Sequence, residues 1–162
     1  MDRPVSNDAF LTQMLPQLAA GVPHMAALGL MFDGVNGKAV DLRAPWREDL
    51  VGDPETGVLA GGLVTTMLDH VGGLATWTAL GRFETIATLD LRVDYMRPAR
   101  PRADLIARAE CYRLTSSIAF VRGWAFEDSI DDPVAASQAA YVLTGGGARM
   151  GANLKPRKAD GA

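Results

Sequence analysis

Val58-Leu-Ala-Gly-Gly-Leu-Val-Thr-Thr-Met-Leu-Asp-His-Val-Gly-Gly-Leu-Ala-Thr-Trp77 is the stretch on which the reading of this chain turns. Its apolar spacing predicts one helix from about Ala60 to Leu80, stopped by Gly81. At about 100° per residue, Leu63, Val64, Met67, Leu68, Val71, Leu74, Ala75 and Thr78 gather on one side, an ordinary core face. Gly62, Thr65, Thr66, Asp69, Gly72, Gly73 and Thr76 gather on the other, with His70 and Trp77 at the border. That second face is too small to fill space and too weakly polar for a normal solvated surface. Another backbone or a ligand must approach it, and Asp69 is the reactive group it would meet.

Working outward, Ser6 or Asn7 is a candidate cap for a short helix running to about Ala20 and broken at Gly21-Val-Pro23. Leu28–Val35 and Lys38–Ala44 read as strands around Asn36-Gly37, a hairpin signal. A loop from Pro45 to Gly57 leads into the helix. Thr88–Met96 then alternates, with Leu89, Leu91, Val93 and Tyr95 on one face and Thr88, Asp90, Arg92 and Asp94 on the other. Strands at Ala103–Leu114, Ile118–Glu127 (Ile118, Phe120, Trp124 and Phe126 on one face) and Val134–Thr144 follow, and Gly145-Gly-Gly147 opens a tail expected to be mobile. The expected organisation is an N-terminal helical segment over 1–23, one domain over 24–144 and the tail over 145–162. One long helix cannot cover both faces of such a sheet, so a curved antiparallel sheet of five to six strands should wrap around it. This α+β arrangement is the hotdog fold, and its leftover surfaces favour self-association.

Composition narrows the function classes. At 162 residues the chain suits a single domain with a real core. A formal charge of −3 argues against nucleic acid as the main partner. The single cysteine, Cys111, excludes an intrachain disulfide and reads as a buried strand residue in a reduced, cytoplasmic setting. The N-terminus lacks a signal-peptide pattern, and no apolar run is long enough to span a bilayer. With two histidines, one cysteine and no ligand spacing, neither a metal site nor a cofactor is expected.

Gly57-Val-Leu-Ala-Gly-Gly62 with Asp69 seven residues later, followed by Thr88-Leu-Asp-Leu-Arg-Val-Asp-Tyr-Met-Arg-Pro98, resembles the signature of the PaaI-like (phenylacetate-type) hotdog acyl-CoA thioesterases. The likeness covers roughly residues 24 to 144. It implies that Asp69 is the general base or nucleophile and that the Gly61 N–H polarises the thioester carbonyl. It implies also that Thr88 positions the attacking water, and that the chain assembles as a dimer or dimer of dimers. Two positions differ from the family pattern: Ala60 stands where a histidine is usual, and Pro54 where several members have asparagine.

The residues themselves support this chemistry. Thioester hydrolysis needs a base or nucleophile, and donors aimed at the oxygen that becomes negative. Free N–H groups at a helix start are such donors, and glycine there lets a ligand approach. From Gly62 to Asp69 is about 10 Å of helix rise, too far for one carbonyl to meet both. A composite site is therefore expected, with Gly61 of one subunit facing Asp69 of another. Gly62 and Thr66 would line the channel, and Arg92, Arg97 and Arg100, with Arg102 nearby, would take the coenzyme A phosphates. Plainer readings stand beside these. Asp69 and the Gly/Thr face could serve subunit packing, and Gly61 could be a simple helix-start glycine. Thr88 could be an ordinary strand threonine, the arginines a solvated edge, and Lys155-Pro-Arg-Lys158 a solubilising tail. His70 reads as structural or as pocket rim, and His24 as a lone loop residue. The functional alternative is a non-catalytic acyl-CoA or hydrophobic-ligand binding protein; a hotdog dehydratase or hydratase is a third.

Overall fold

The computed structural model describes residues 10–144. The expected cap at Ser6 or Asn7, the tail from 145 and its Lys155–Lys158 cluster lie outside the described residues. A π-helical turn, Phe10–Met14, runs into helix α1 (Leu15–Ala20). Where a loop and the start of a strand were expected, Pro23 opens a further helix, α2 (Pro23–Leu28). Proline suits a first helical turn, where its missing N–H would have no partner, and Gly29 at φ 68° closes the helix in the left-handed conformation. Phe10, Leu15, Ala19 and Met25 are fully buried, so this N-terminal segment is part of the core.

Strands β1 (Met31–Asn36) and β2 (Ala39–Ala44) form the expected hairpin. Asn36 pairs with Ala39, so the turn residues are Gly37 and Lys38, one position later than the sequence signal suggested. A small ribbon of β3 (Val51–Asp53) and β4 (Val58–Leu59) sits within the following loop. Then come helix α3 (Gly61–Leu80) and strands β5 (Ile86–Tyr95), β6 (Leu105–Leu114), β7 (Ile118–Phe126) and β8 (Ala135–Leu143). The six-stranded antiparallel sheet has the order β1-β2-β6-β7-β8-β5.

Helix α3 packs against every strand of this sheet from β2 to β5. Its apolar stripe, Leu63 to Ala75, is buried as the periodicity predicts. The sheet face beneath it is built from small residues: Ala107, Ala109, Ala119, Ala125, Ala135 and Ala139 are all buried. These short side chains let the helix settle close to the strands while its own leucines, valines and methionine fill the space. On β7 the aromatic residues Phe120 and Trp124 are only half-buried, because Ala119, Val121 and Ala125 hold the helix-facing positions. On the outer face, the Arg122 guanidinium lies over Trp124 at 5.6 Å and Tyr112 at 6.0 Å, and pairs with Glu110. Cys111 is half-buried rather than fully buried, beside a bulge in the β6–β7 pairing.

Candidate active site

The small-residue face of α3 divides into two parts. Gly72 and Thr76 are buried within the chain, against expectation. The cause is Tyr141 of β8, only 2% exposed, whose ring occupies the notch left by Gly72. A Cβ on Gly72 would lie 2.2 Å from the Tyr141 hydroxyl. That hydroxyl donates to the backbone carbonyl of Asp69 at 2.7 Å and lies 3.4 Å from Asp69 Oδ1. Burial first, and then the neighbouring carboxylate, push the Tyr141 phenol well up, so it remains a donor. Sequence reasoning missed Tyr141, because nothing local distinguishes it from any inward strand aromatic.

Thr88 donates to Asp69 Oδ1 at 2.8 Å. Strict alternation along β5 would set Thr88 and Leu91 on opposite faces. A bulge removes the conflict: Thr88 pairs with Tyr141 and Asp90 with Ala140, leaving Leu89 as the extra residue, 58% exposed. Leu91 and Val93 then pack on the core while Thr88 also reaches the helix. The expected grouping of Leu89 with Leu91 and Val93 is corrected accordingly.

Beside Asp69 opens a cavity of about 220 Å³. His70, Gly73, Trp77, Ile86, Thr88 and Tyr141 line it, and Ala19, Val22 and Met25 of the N-terminal segment close one side. His24 is not a loop residue: it stands on α2, with its ring edge-on to His70 at 5.8 Å. Burial lowers the His70 pKa; Asp69 opposes that shift and His24 adds to it. Among the described residues no group of three His, Cys, Asp or Glu side chains could hold a metal ion.

The helix start lies apart from this cluster. Ala60 caps α3 without a side-chain hydrogen bond and its carbonyl takes the Leu63 N–H at 3.0 Å, so the Gly61 and Gly62 N–H groups are the ones left to whatever approaches. The Gly61 carbonyl, by contrast, is taken: Tyr95 donates to it at 2.6 Å and Thr65 at 3.3 Å. Thr66 donates back to the Gly62 carbonyl at 2.9 Å, while the Gly62 surface is open. Gly61 and Asp69 are thus separated by about 12 Å of helix rise, and a single chain does not bring them together.

Three of the four arginines meet an acid. Arg97 pairs with Glu127 at 2.5 Å and with Asp132 at 3.1 Å, and the Glu127 side chain is only 2% exposed. Burial opposes the Glu127 charge, yet Arg97 and the Arg100 N–H outweigh it and hold the carboxyl below its usual range. Arg92 pairs with Asp94 and Arg100 with Asp128, both on the surface. The cleft containing Arg97 and Arg100 also carries Glu127, Asp128 and Asp132, a poor balance for an anion. Arg102 is held at φ 56° beside Gly57, its N–H donating to the Gly57 carbonyl.

A six-stranded antiparallel sheet on one long helix, with an acid presented at mid-helix to a strand hydroxyl, defines a hotdog-fold protein of the thioesterase type. The chain belongs to the thioesterase superfamily, as a PaaI-like member: the superfamily's model matches residues 56–131. A solved Pseudomonas aeruginosa protein is 38% identical, with 82% of this chain and 98% of that one covered, at a TM-score of 0.75. The phenylacetic acid degradation protein PaaI of Thermus thermophilus, solved as a mutant, is 25% identical over 75% of this chain and 99% of that one, at a TM-score of 0.64. A Halobacterium salinarum protein provisionally named an esterase is 37% identical over 97 residues, 58% of this chain and 63% of that protein. The chain therefore spans less than two thirds of that curated relative. No helix among the described residues is long and apolar enough to cross a membrane.

Proposed function

We propose that this protein hydrolyses acyl-CoA thioesters, with Asp69 as the general base. The observation that carries the reading is the Thr88–Asp69 contact at the mouth of an apolar cavity. Thr88 occupies Oδ1 and leaves Oδ2 to face a water. Asp69 removes a proton as the water oxygen attacks the thioester carbon, and Thr88 Oγ1 accepts the water's second hydrogen. The carbonyl oxygen becomes negative against backbone N–H groups at a helix start. Collapse breaks the C–S bond, and the thiolate of coenzyme A leaves with the proton held by Asp69. Because one helix separates the two ends of this machinery, the N–H donor is assigned to Gly61 of the partner subunit. Self-association as a dimer or dimer of dimers in the cytoplasm belongs to the same proposal. Exposed Arg92 is the group freest to exchange its acid for a coenzyme A phosphate; Arg100 would have to do so from a cleft crowded with acids, and Arg97 is committed to Glu127.

A thiol-release assay over a panel of acyl-CoA esters tests the activity, with turnover lost in Asp69→Asn. Tight acyl-CoA binding without turnover in the wild type would favour a binding protein instead, a reading to which the bare Ala60 cap lends support. Single turnover in isotopically labelled water separates the mechanisms, since label entering Asp69 makes the acid a nucleophile. Mixing Asp69→Ala protomers with protomers impaired at Gly61 should restore part of the activity; verified mixing with no recovery refutes the shared site.

A further inference from the structure

The cavity beside Asp69 does not end there. On α3 its lining steps from Asp69 to Gly73 to Trp77, at a spacing of four that keeps one stripe of the helix facing inward over about 12 Å. The Asp69 end is polar, with Thr88 and Tyr141. The Trp77 end is a fixed wall: its indole N–H donates to the Glu84 carbonyl at 2.8 Å, and its ring packs on Phe83 at 5.2 Å. Between them Gly73 contributes no side chain, and a Cβ there would meet only Ile86 Cδ1 at 3.5 Å. Val22 and Met25 form a partial roof over a pocket that stays open to solvent. Both belong to the N-terminal segment, which precedes the residues matched by the superfamily model, so this part of the lining is built by residues outside that match.

We infer that Gly73 and Trp77 set the acyl specificity: the acyl group lies over Gly73 under the Val22–Met25 roof, and Trp77 stops it. This rests on the thioesterase reading for the position of the carbonyl at Asp69. An apolar cavity of about 150 Å³ accepts a benzene ring, so the 220 Å³ here takes one ring with a few further carbons, or a short branched chain. A long straight chain laid along this stripe would run into the anchored indole.

Calorimetric titration with free carboxylates, from butanoate to palmitate and including a single-ring aryl acetate, reads the pocket without requiring turnover. The same panel as acyl-CoA esters reads hydrolysis. The wild type should bind the compact acids and reject palmitate. Trp77→Leu should move the chain-length optimum upward, and Gly73→Leu should weaken the aryl acid at least tenfold while keeping a cooperative melt. A misplaced methylene in an apolar pocket changes affinity by roughly 10–200-fold. Trp77→Phe, which keeps the packing against Phe83, guards against a folding defect in the leucine variant and should relax the length limit more weakly. An unchanged length profile in folded Trp77 variants, or full aryl binding by Gly73→Leu, overturns the assignment. Length-dependent binding without hydrolysis keeps the pocket and removes the enzymatic reading; hydrolysis with an unmoved profile does the reverse.

Discussion

Replacing each of two adjacent glycines by alanine should move stability in opposite directions. At Gly72 the new methyl meets Tyr141 at 2.2 Å from Oη, 2.9 Å from Cζ and 3.1 Å from Cε2. Tyr141 cannot retreat, because β8 is paired on both sides there, to Ala119 of β7 and to Thr88 of β5. Overpacking of this kind costs about 1–3 kcal/mol. Expulsion of the ring also breaks the hydroxyl's bond to the Asp69 carbonyl, worth about 1 kcal/mol net. Against this stands a helix-propensity gain of about 1 kcal/mol, so Gly72→Ala should lose about 2 kcal/mol. At Gly73 nothing lies closer than 3.5 Å, and the propensity gain stands almost alone.

The two variants should therefore differ by about 3 kcal/mol, or about 6–12 °C in Tm for a chain of this size. Calorimetry at matched protein concentration is the measurement, since the melting of an oligomer depends on concentration. Adding Tyr141→Phe to Gly72→Ala removes the 2.2 Å contact but keeps the one at 2.9 Å, so recovery should be partial. If Gly72→Ala melts at or above the wild type, or both variants shift alike, the notch is not what holds Tyr141 against the helix.

Three further outcomes are expected. Thr88→Val removes a hydroxyl donated to a carboxylate, so kcat should fall roughly tenfold or more with KM little changed; a raised KM at unchanged kcat would deny Thr88 its place at the reacting end. His70 has a folded pKa below its ordinary 6.5, so between these two values the unfolded chain holds a proton that the folded one does not. Stability should climb with pH through that window and be lost as pH falls through the folded value, and His70→Gln should flatten the profile of urea midpoints. Glu127→Gln breaks the pair of a buried carboxylate with Arg97 and should cost about 3 kcal/mol, whereas Arg92→Ala, on the surface, should stay within about 0.5 kcal/mol; equal effects would undo the division between structural and surface arginines.

Much of this molecule is legible in its linear order. The period of the Leu63–Ala75 stripe places the central helix to within a residue, and the succession of strands around it defines the sheet. Asp69 stands out because it is the one acid on a face otherwise built from glycine and threonine. These features are local: each depends on spacing within one element, and spacing is written in the chain. The second helix at Pro23 and the turn at Gly37-Lys38 are near misses of the same local kind.

What the sequence could not decide is which elements meet. Gly72 reads as part of an open face until β8 delivers Tyr141 into its notch. Thr88 falls on the wrong side of a regular strand until one unpaired residue, Leu89, rotates the register toward Asp69. Arg97 looks like a free cation until the chain folds Glu127 beneath it. All three depend on the pairing of segments far apart in sequence, where packing and strand register, rather than local propensity, choose the neighbour. The acid could be found from the chain alone; its two hydroxyl partners exist only because β5 and β8 lie side by side.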